Sequence, residues 1–355
     1  MSKKIAKGAH LVGSVWLEDS DAVISTAAKV LGNHLVRIPD GETGPRRQWA
    51  YWQFTVIEQD PNLEPDPNEA PIIFPMMTDG VPGEVEIHRA KFKAGVDVDS
   101  IFMNTTYAEH ALASYARFAA LKQQGIVSDG TRFMVALPTP LAIALPHISP
   151  SAIPDFLNVY ERSLLADLKK ILTTIPAAEL SIQWDIAVEV IALEGAFPMP
   201  GSLEEFEEKT MQQFERLCSE VPEGVEMGFH WCYGDPNGKH MLEPKDAGLM
   251  VHLTNATLKR VQRSIEYIHL PVPIERDDDA YFEPLAGLEL SSGCRLYLGL
   301  VHIEDGVEGT NRRIATASRY VKDFGIATEC GIGRQMPYEI EPLMQIHADC
   351  SAPVN

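Results

Sequence analysis

The stretch Met227-Gly228-Phe229-His230-Trp231-Cys232-Tyr233-Gly234-Asp235 places an imidazole and a thiol two positions apart at the end of an apolar run. The run reads as a buried strand that breaks at a Gly-Asp-Pro turn. Side chains at i and i+2 of a strand share a face, so His230 and Cys232 project together. A nitrogen and a thiolate side by side suit zinc, which takes both. Two ligands do not make a site, so a third soft ligand must come from elsewhere in the chain.

The elements that would position these groups alternate along the whole sequence. Strand patterns are expected over 9–14, 34–39, 132–137, 180–185, 225–232, 265–270, 295–301 and 325–329. Helical patterns are expected over 19–31, 107–124, 154–174, 203–218 (with Ser202 as cap), 247–264, 278–285, 307–321 and 336–347. Strands separated by helices imply parallel pairing through right-handed crossovers. Eight such units in a chain of 355 residues predict an α/β fold, a (β/α)8 TIM barrel spanning 1–355 as a single catalytic domain. Residues 43–103, rich in Pro, Gly, Asp and aromatics, form an insertion after the second strand, expected to carry its own hairpin or short helices. No glycine-rich dinucleotide fingerprint follows the first strand.

Working residues of a barrel enzyme sit at the C-terminal ends of its strands. Those ends carry Gly13-Ser14, Asp40-Gly41-Glu42, Pro138-Thr139, Asp185, His230 with Cys232, Glu275, His302 with Glu304, and Cys330. The strand ends converge on one mouth, so Cys330 can reach His230 and Cys232 although 98 positions separate the two cysteines. It is the expected third ligand, with Glu275 as candidate fourth. Cys218, Cys294 and Cys350 read as structural. Asp277-Asp278-Asp279 reads as a helix cap rather than a hard-metal site. Arg46-Arg47 with Trp49, Tyr51 and Trp52 could clamp an anionic or planar substrate or simply pack. His110 reads as capping, and Lys239-His240 as an exposed loop.

A formal net charge of -20 argues against partners made of nucleic acid and against docking on anionic membranes. No apolar stretch approaches the ~18 residues of a membrane span, and no secretory leader pattern follows Met1. Five scattered cysteines suit a reducing, cytoplasmic setting better than a disulfide framework. A homo-oligomer is compatible with this composition.

Several of these residues resemble the cobalamin-independent methionine synthases and the related epoxyalkane:coenzyme M transferase, within the uroporphyrinogen decarboxylase superfamily. The likeness rests on His230-Trp231-Cys232, on Cys330-Gly331 with Arg334, on His10-Leu11-Val12-Gly13-Ser14 and on Gly41-Glu42. It spans nearly the whole chain and covers the family's C-terminal catalytic barrel alone. The resemblance implies Zn2+ held by His230, Cys232, Cys330 and Glu275, and a thiol substrate near Gly13 and Ser14. It implies that Glu42 and Asp185 bind the amino group when that thiol is homocysteine. At Asp185 the chain has Gln183-Trp184-Asp185-Ile186-Ala187 where the family has an Asp-Glu-Pro pattern. The family's catalytic His falls nearer Glu304, with His302 two residues earlier; either could protonate a leaving group. The implied activity is alkyl, most simply methyl, transfer to a thiol, from a folate, a corrinoid protein or a small methyl donor. The alternatives are a metal-independent decarboxylase or lyase on the same barrel, or a non-catalytic protein that binds zinc, a thiol or a corrinoid.

Overall fold

The computed structural model describes residues 6–196, 201–237 and 240–354. Twelve strands run in chain order among the described residues: β1 (Ala9–His10), β2 (Arg37–Pro39), β3 (Leu63–Pro65), β4 (Ile72–Thr78), β5 (Val81–Ile87), β6 (Ala90–Phe92), β7 (Arg132–Pro138), β8 (Leu180–Ile186), β9 (Glu226–Trp231), β10 (Tyr267–Pro271), β11 (Arg295–Val301) and β12 (Phe324–Thr328). Eight of them form one sheet in the order β1-β12-β11-β10-β9-β8-β7-β2, every pair parallel. A parallel bridge from Ala9 to Leu35, just ahead of β2, closes the ring. This is the (β/α)8 barrel expected from the alternation of elements.

Two faces of burial explain why the strands read as they do. The β9 residues Phe229 and Trp231 point outward onto Phe214 of the helix Leu203–Ser219, ring centroids 5.7 and 5.9 Å away. That helix starts with a capping box between Ser202 and Glu205. Its buried residues Met211, Phe214, Leu217 and Cys218 form a stripe of 3–4 residue spacing. Burying each phenylalanine contributes about 1.5–3 kcal/mol. Because Phe229 and Trp231 are drawn outward, the alternate residues Gly228 and His230 must face the barrel interior.

That interior is polar where the wall between barrel and helices is apolar. Met134, Tyr267 and Tyr297 form a buried cluster separate from the main core. The Arg37 guanidinium lies 3.8 Å over the Tyr267 ring and pairs with Glu226 at 2.5 Å. Gly228 makes room for Tyr267, since a Cβ there would lie 2.4 Å from the ring.

The insertion contains both features expected of it. A kinked 3-10 segment (Gly44–Trp52) runs into the helix Gln53–Gln59. β3 pairs with β6, and β4 pairs with β5 through a two-residue Asp79-Gly80 turn, both at positive φ (50° and 78°). The hairpin is fastened over the barrel mouth: Met77 N–H donates to the Pro236 carbonyl at 3.0 Å, and Asn237 Nδ2 to the Gly83 carbonyl at 3.1 Å. Two helices that the sequence reading passed over follow β7 and β8. Pro140–His147 is capped by Thr139, with Pro140 at its first position, and Val188–Leu193 follows Asp185. The expected first strand 9–14 is paired only at Ala9–His10; beyond it Val12 to Ser14 line the mouth. Among the described residues no helix is long and apolar enough to cross a membrane.

Candidate metal centre and its cavity

His230 lies in β9, Cys232 one residue past its end, and Cys330 two residues past β12. One ligand atom from each lies within 4.8 Å of the others. The Cys232 and Cys330 Sγ atoms are 3.8 Å apart, and both cysteines are free. Two thiolates on a tetrahedral zinc with Zn–S bonds of about 2.3 Å stand about 3.8 Å apart, so the spacing fits a shared zinc. Gly331 lets the turn after Cys330 close on the first strand's extension, since a Cβ there would lie 2.4 Å from Ser14 Oγ.

The surroundings favour thiolate at Cys330. The hydrogen bond from Cys232 lowers its pKa well below the ordinary thiol value; burial opposes this, and the Arg334 guanidinium adds to it. Arg334 Nη2 donates to Cys330 Sγ at 3.3 Å and to Asp235 Oδ2 at 3.1 Å. Cys232, which gives that hydrogen bond and is buried, is raised in turn. Its sulfur accepts the Gly234 backbone N–H at 3.3 Å.

His269 orients the candidate imidazole ligand. In the β9–β10 register it stands opposite His230. His269 Nε2 is 3.0 Å from the Thr328 carbonyl, which can only accept, so that nitrogen carries the proton. Burial lowers the pKa of His269 well below the usual imidazole range, keeping it neutral with a bare Nδ1. His230 Nδ1 therefore donates to it at 2.7 Å, which leaves His230 Nε2 bare and facing the thiols. This is the tautomer a metal ligand needs. His269→Phe is expected to weaken zinc binding by about 10–100-fold, the usual effect of losing such a partner. Competition against a chelator measures this; unchanged affinity would refute the relay.

The three candidate ligands open on a cavity of about 750 Å³ whose wall also contains Gly13, Ser14, Glu42 and Asp185. Asp185 ends β8. Its Oδ2 accepts Trp49 Nε1–H at 3.0 Å and its Oδ1 accepts Gln183 Nε2–H at 2.9 Å. Burial pushes Asp185 up to about 6. Glu42 (φ 44°) is held at the mouth as its N–H donates to Asp40 Oδ1 at 2.8 Å. Burial raises it well above the carboxylate range, and the charges of Asp185 and Asp40 add to this. Two close carboxylates that resist joint ionisation form a ready site for a cation.

Three expected site residues are not gathered here. Glu275 lies in the Pro273–Arg276 turn, exposed, four residues beyond the end of β10 and outside the ligand group. His302 is buried but absent from the cavity wall; its Nε2–H donates to the Val272 carbonyl at 3.0 Å, and its Nδ1 is 3.9 Å from Glu329 Oε1. Glu304 is exposed. Arg46 pairs with Asp40 at 2.9 Å, while Arg47 lies 3.8 Å over Trp16 and pairs with Asp79. Neither is free to clamp an anion. Asp278 caps its helix by accepting Tyr281 N–H at 3.1 Å, as expected. His110 packs edge-on against Trp52 and makes no cap.

Lys239 lies outside the described residues. His240 is not an exposed loop residue: its side chain is 4% exposed and its Nε2 meets Glu329 Oε2 at 2.8 Å. Along with His269 and Asp235, it is a site neighbour that sequence reasoning missed, while Trp49, read as a clamp or a packing residue, instead donates to Asp185. The one available signal for His269 was a polar residue within an apolar strand.

No protein-family model matches the chain, and no curated protein sequence matches it. Solved structures do. A protein from Listeria monocytogenes assigned as a vitamin-B12-independent methionine synthase superposes with a TM-score of 0.56 at 12% identity, covering 99% of this chain and 100% of that one. A B12-independent methionine synthase from Shewanella sp. W3-18-1, in complex with selenomethionine, gives 0.55 at 14% identity and covers 97% of each chain. The chain therefore shares the fold of these proteins along nearly its whole length.

Proposed function

We propose that the chain is a zinc-dependent transferase that moves an alkyl group, most simply methyl, onto a small-molecule thiol of the homocysteine type. The single observation that carries this reading is the 3.8 Å spacing of Cys232 and Cys330 beside His230, at the edge of a cavity large enough for two reactants. Zinc held by these three residues, with a position left for substrate, would acidify an incoming thiol while leaving its sulfur nucleophilic.

The chain's own residues do the rest. Glu42 and Asp185 hold the ammonium of an amino-acid thiol, and Trp49 and Gln183 fix the Asp185 carboxylate for that task. Arg334 stabilises the Cys330 thiolate and is braced by Asp235. His269 keeps His230 in its ligating tautomer. His302 and His240 flank Glu329, the neighbour of Cys330, and position that turn rather than touch the substrate. Attack by the thiol sulfur on the alkyl carbon breaks the bond to the donor, which leaves with the electron pair. The described wall carries two arginines, Arg89 and Arg334, and Arg334 is engaged with Asp235 and Cys330. That set favours this reading over decarboxylation of a polycarboxylate.

X-ray absorption at the zinc edge tests the proposal. The purified protein is expected to hold one zinc, and homocysteine to add one sulfur neighbour. 4-Mercaptobutyrate, lacking the amino group, is expected to do so only at about tenfold or higher concentration, the cost of one lost charge-assisted contact. Protein that carries no zinc, or zinc whose sulfur count ignores both thiols, would overturn the reading.

A further inference from the structure

The cavity that opens on the His230–Cys232–Cys330 group has a largely apolar chamber, walled by Tyr51, Phe74 and Met76 of the insertion and by Leu145, Ile191 and Met241. Tyr51 stands between Phe54 and Phe74, each ring centroid 6.1 Å away and the planes within 17°. A volume of about 750 Å³ is that of a site for a drug-sized ligand, well beyond a homocysteine-sized thiol. The remaining space is shaped for a second, largely apolar molecule.

Four polar atoms of residues on the cavity wall are buried without a hydrogen-bond partner among the described residues: Asp235 Oδ1 and Arg334 Nε beside the cysteines, and, on the apolar part of the wall, Arg89 Nε and His147 Nε2. A backbone bridge between Ala90 and Ile148, extended by Ser149 N–H donating to the Ala90 carbonyl at 2.9 Å, brings the preceding residues Arg89 and His147 alongside. His147 is 1% exposed, and its Nδ1–H donates to the Ile143 carbonyl at 2.9 Å. Burial pulls its imidazole down to about 4, so at neutral pH Nε2 is a bare acceptor. Arg89 Nε–H is a donor, while the far end of its guanidinium reaches Glu69 at 3.5 Å. His347 makes the same bond to the carbonyl four residues back, at 2.8 Å, but away from the cavity wall. The local bond is therefore a helix feature; what sets His147 apart is its place on the wall beside a buried donor.

We infer that this chamber binds a molecule with an apolar ring or chain and an amide-like edge, an acceptor for Arg89 Nε beside an N–H donor for His147 Nε2. Naming this molecule as the alkyl donor rests on the transferase reading above; its binding does not require the metal. A polyanion is disfavoured, because the wall sets Arg89 and an engaged Arg334 against Glu42, Asp185 and Asp235.

Calorimetric titration of the purified protein with benzamide and with N,N-dimethylbenzamide tests this. Benzamide is expected to bind saturably and its dimethyl analogue about tenfold more weakly, because the analogue leaves the buried acceptor unpaired. In His147→Phe, with an unchanged circular-dichroism melt, the two amides are expected to bind alike. In Arg89→Met, benzamide binding is expected to fall about tenfold. Equal binding of the two amides by the unmodified protein, discrimination that survives His147→Phe, or unaltered benzamide affinity in Arg89→Met each overturns the inference. If His147→Phe does not fold, Arg89→Met decides alone. Titration heat needs neither zinc nor turnover, so a negative result at the zinc edge and a negative result here are told apart.

Discussion

Cys232→Ser/Cys330→Ser protein is expected to emerge from gel filtration with no zinc, against one equivalent for the parent, and with no thiol-alkylation activity. Zinc held by Cys and His ligands binds with about 10–16 kcal/mol at neutral pH. Removing one of three protein ligands should cost roughly a quarter to a third of that, about a thousandfold in affinity per single variant. The larger loss is expected for Cys330, because Arg334 and the hydrogen bond from Cys232 hold it as thiolate. Both cysteines lie just past strand ends, so the apolar packing of β9 against Phe214 is untouched. The unfolding midpoint of metal-free protein should hardly move. Zinc counting by mass spectrometry beside urea unfolding separates the two effects. Full zinc occupancy in the double variant would end the transferase reading.

Arg37→Met is expected to destabilise the fold by about 3–5 kcal/mol, the cost of leaving one partner of a buried ion pair behind. Arg37 is 3% exposed at the barrel's inner floor, with Nε 2.5 Å from Glu226 Oε1 and its guanidinium over Tyr267. Residual help from Arg132, 4.0 Å from the same carboxylate, puts the loss at the lower end of that range. Burial pulls the pKa of Glu226 upward, yet the Arg37 charge and hydrogen bond hold it below the ordinary carboxylate value. A depressed folded pKa means stability that is present above the unfolded pKa and lost as pH falls through the folded one. The gap between parent and variant should therefore be widest near pH 7 and narrow as pH drops below about 4. Urea unfolding at several pH values measures this, and a constant gap would refute it. The variant also loosens the site from below: Arg37 reaches His10 at 3.5 Å, His10 bonds Gln183 at 2.9 Å, and Gln183 bonds Asp185.

Much of this arrangement can be read in the chain before any coordinates, wherever the information is local. The two-residue period of a strand puts His230 and Cys232 on one side. The repeated strand–helix alternation demands parallel pairing and a barrel, and a barrel brings its strand ends together. Those rules alone bring Cys330 to the same mouth and place Gly13, Ser14, Glu42 and Asp185 on its wall. The same reasoning misplaced Glu275, because it assumed that the residue after an apolar run still points into the mouth. The turn from Pro273 to Arg276 swings it into solvent instead.

What only the tertiary structure decided depends on register and on long-range closure, neither of which leaves a periodic trace. His269 meets His230 because β10 pairs with β9 at one particular offset, and a one-residue slip would turn it outward. Trp49 reaches Asp185 across 136 positions because the insertion folds back over the barrel. Arg89 and His147 become neighbours only when Ala90 bridges to Ile148. Local sequence thus determined the barrel and the meeting of the three candidate ligands, while the neighbours around them and the apolar chamber arise from strand offsets and a folded-over insertion.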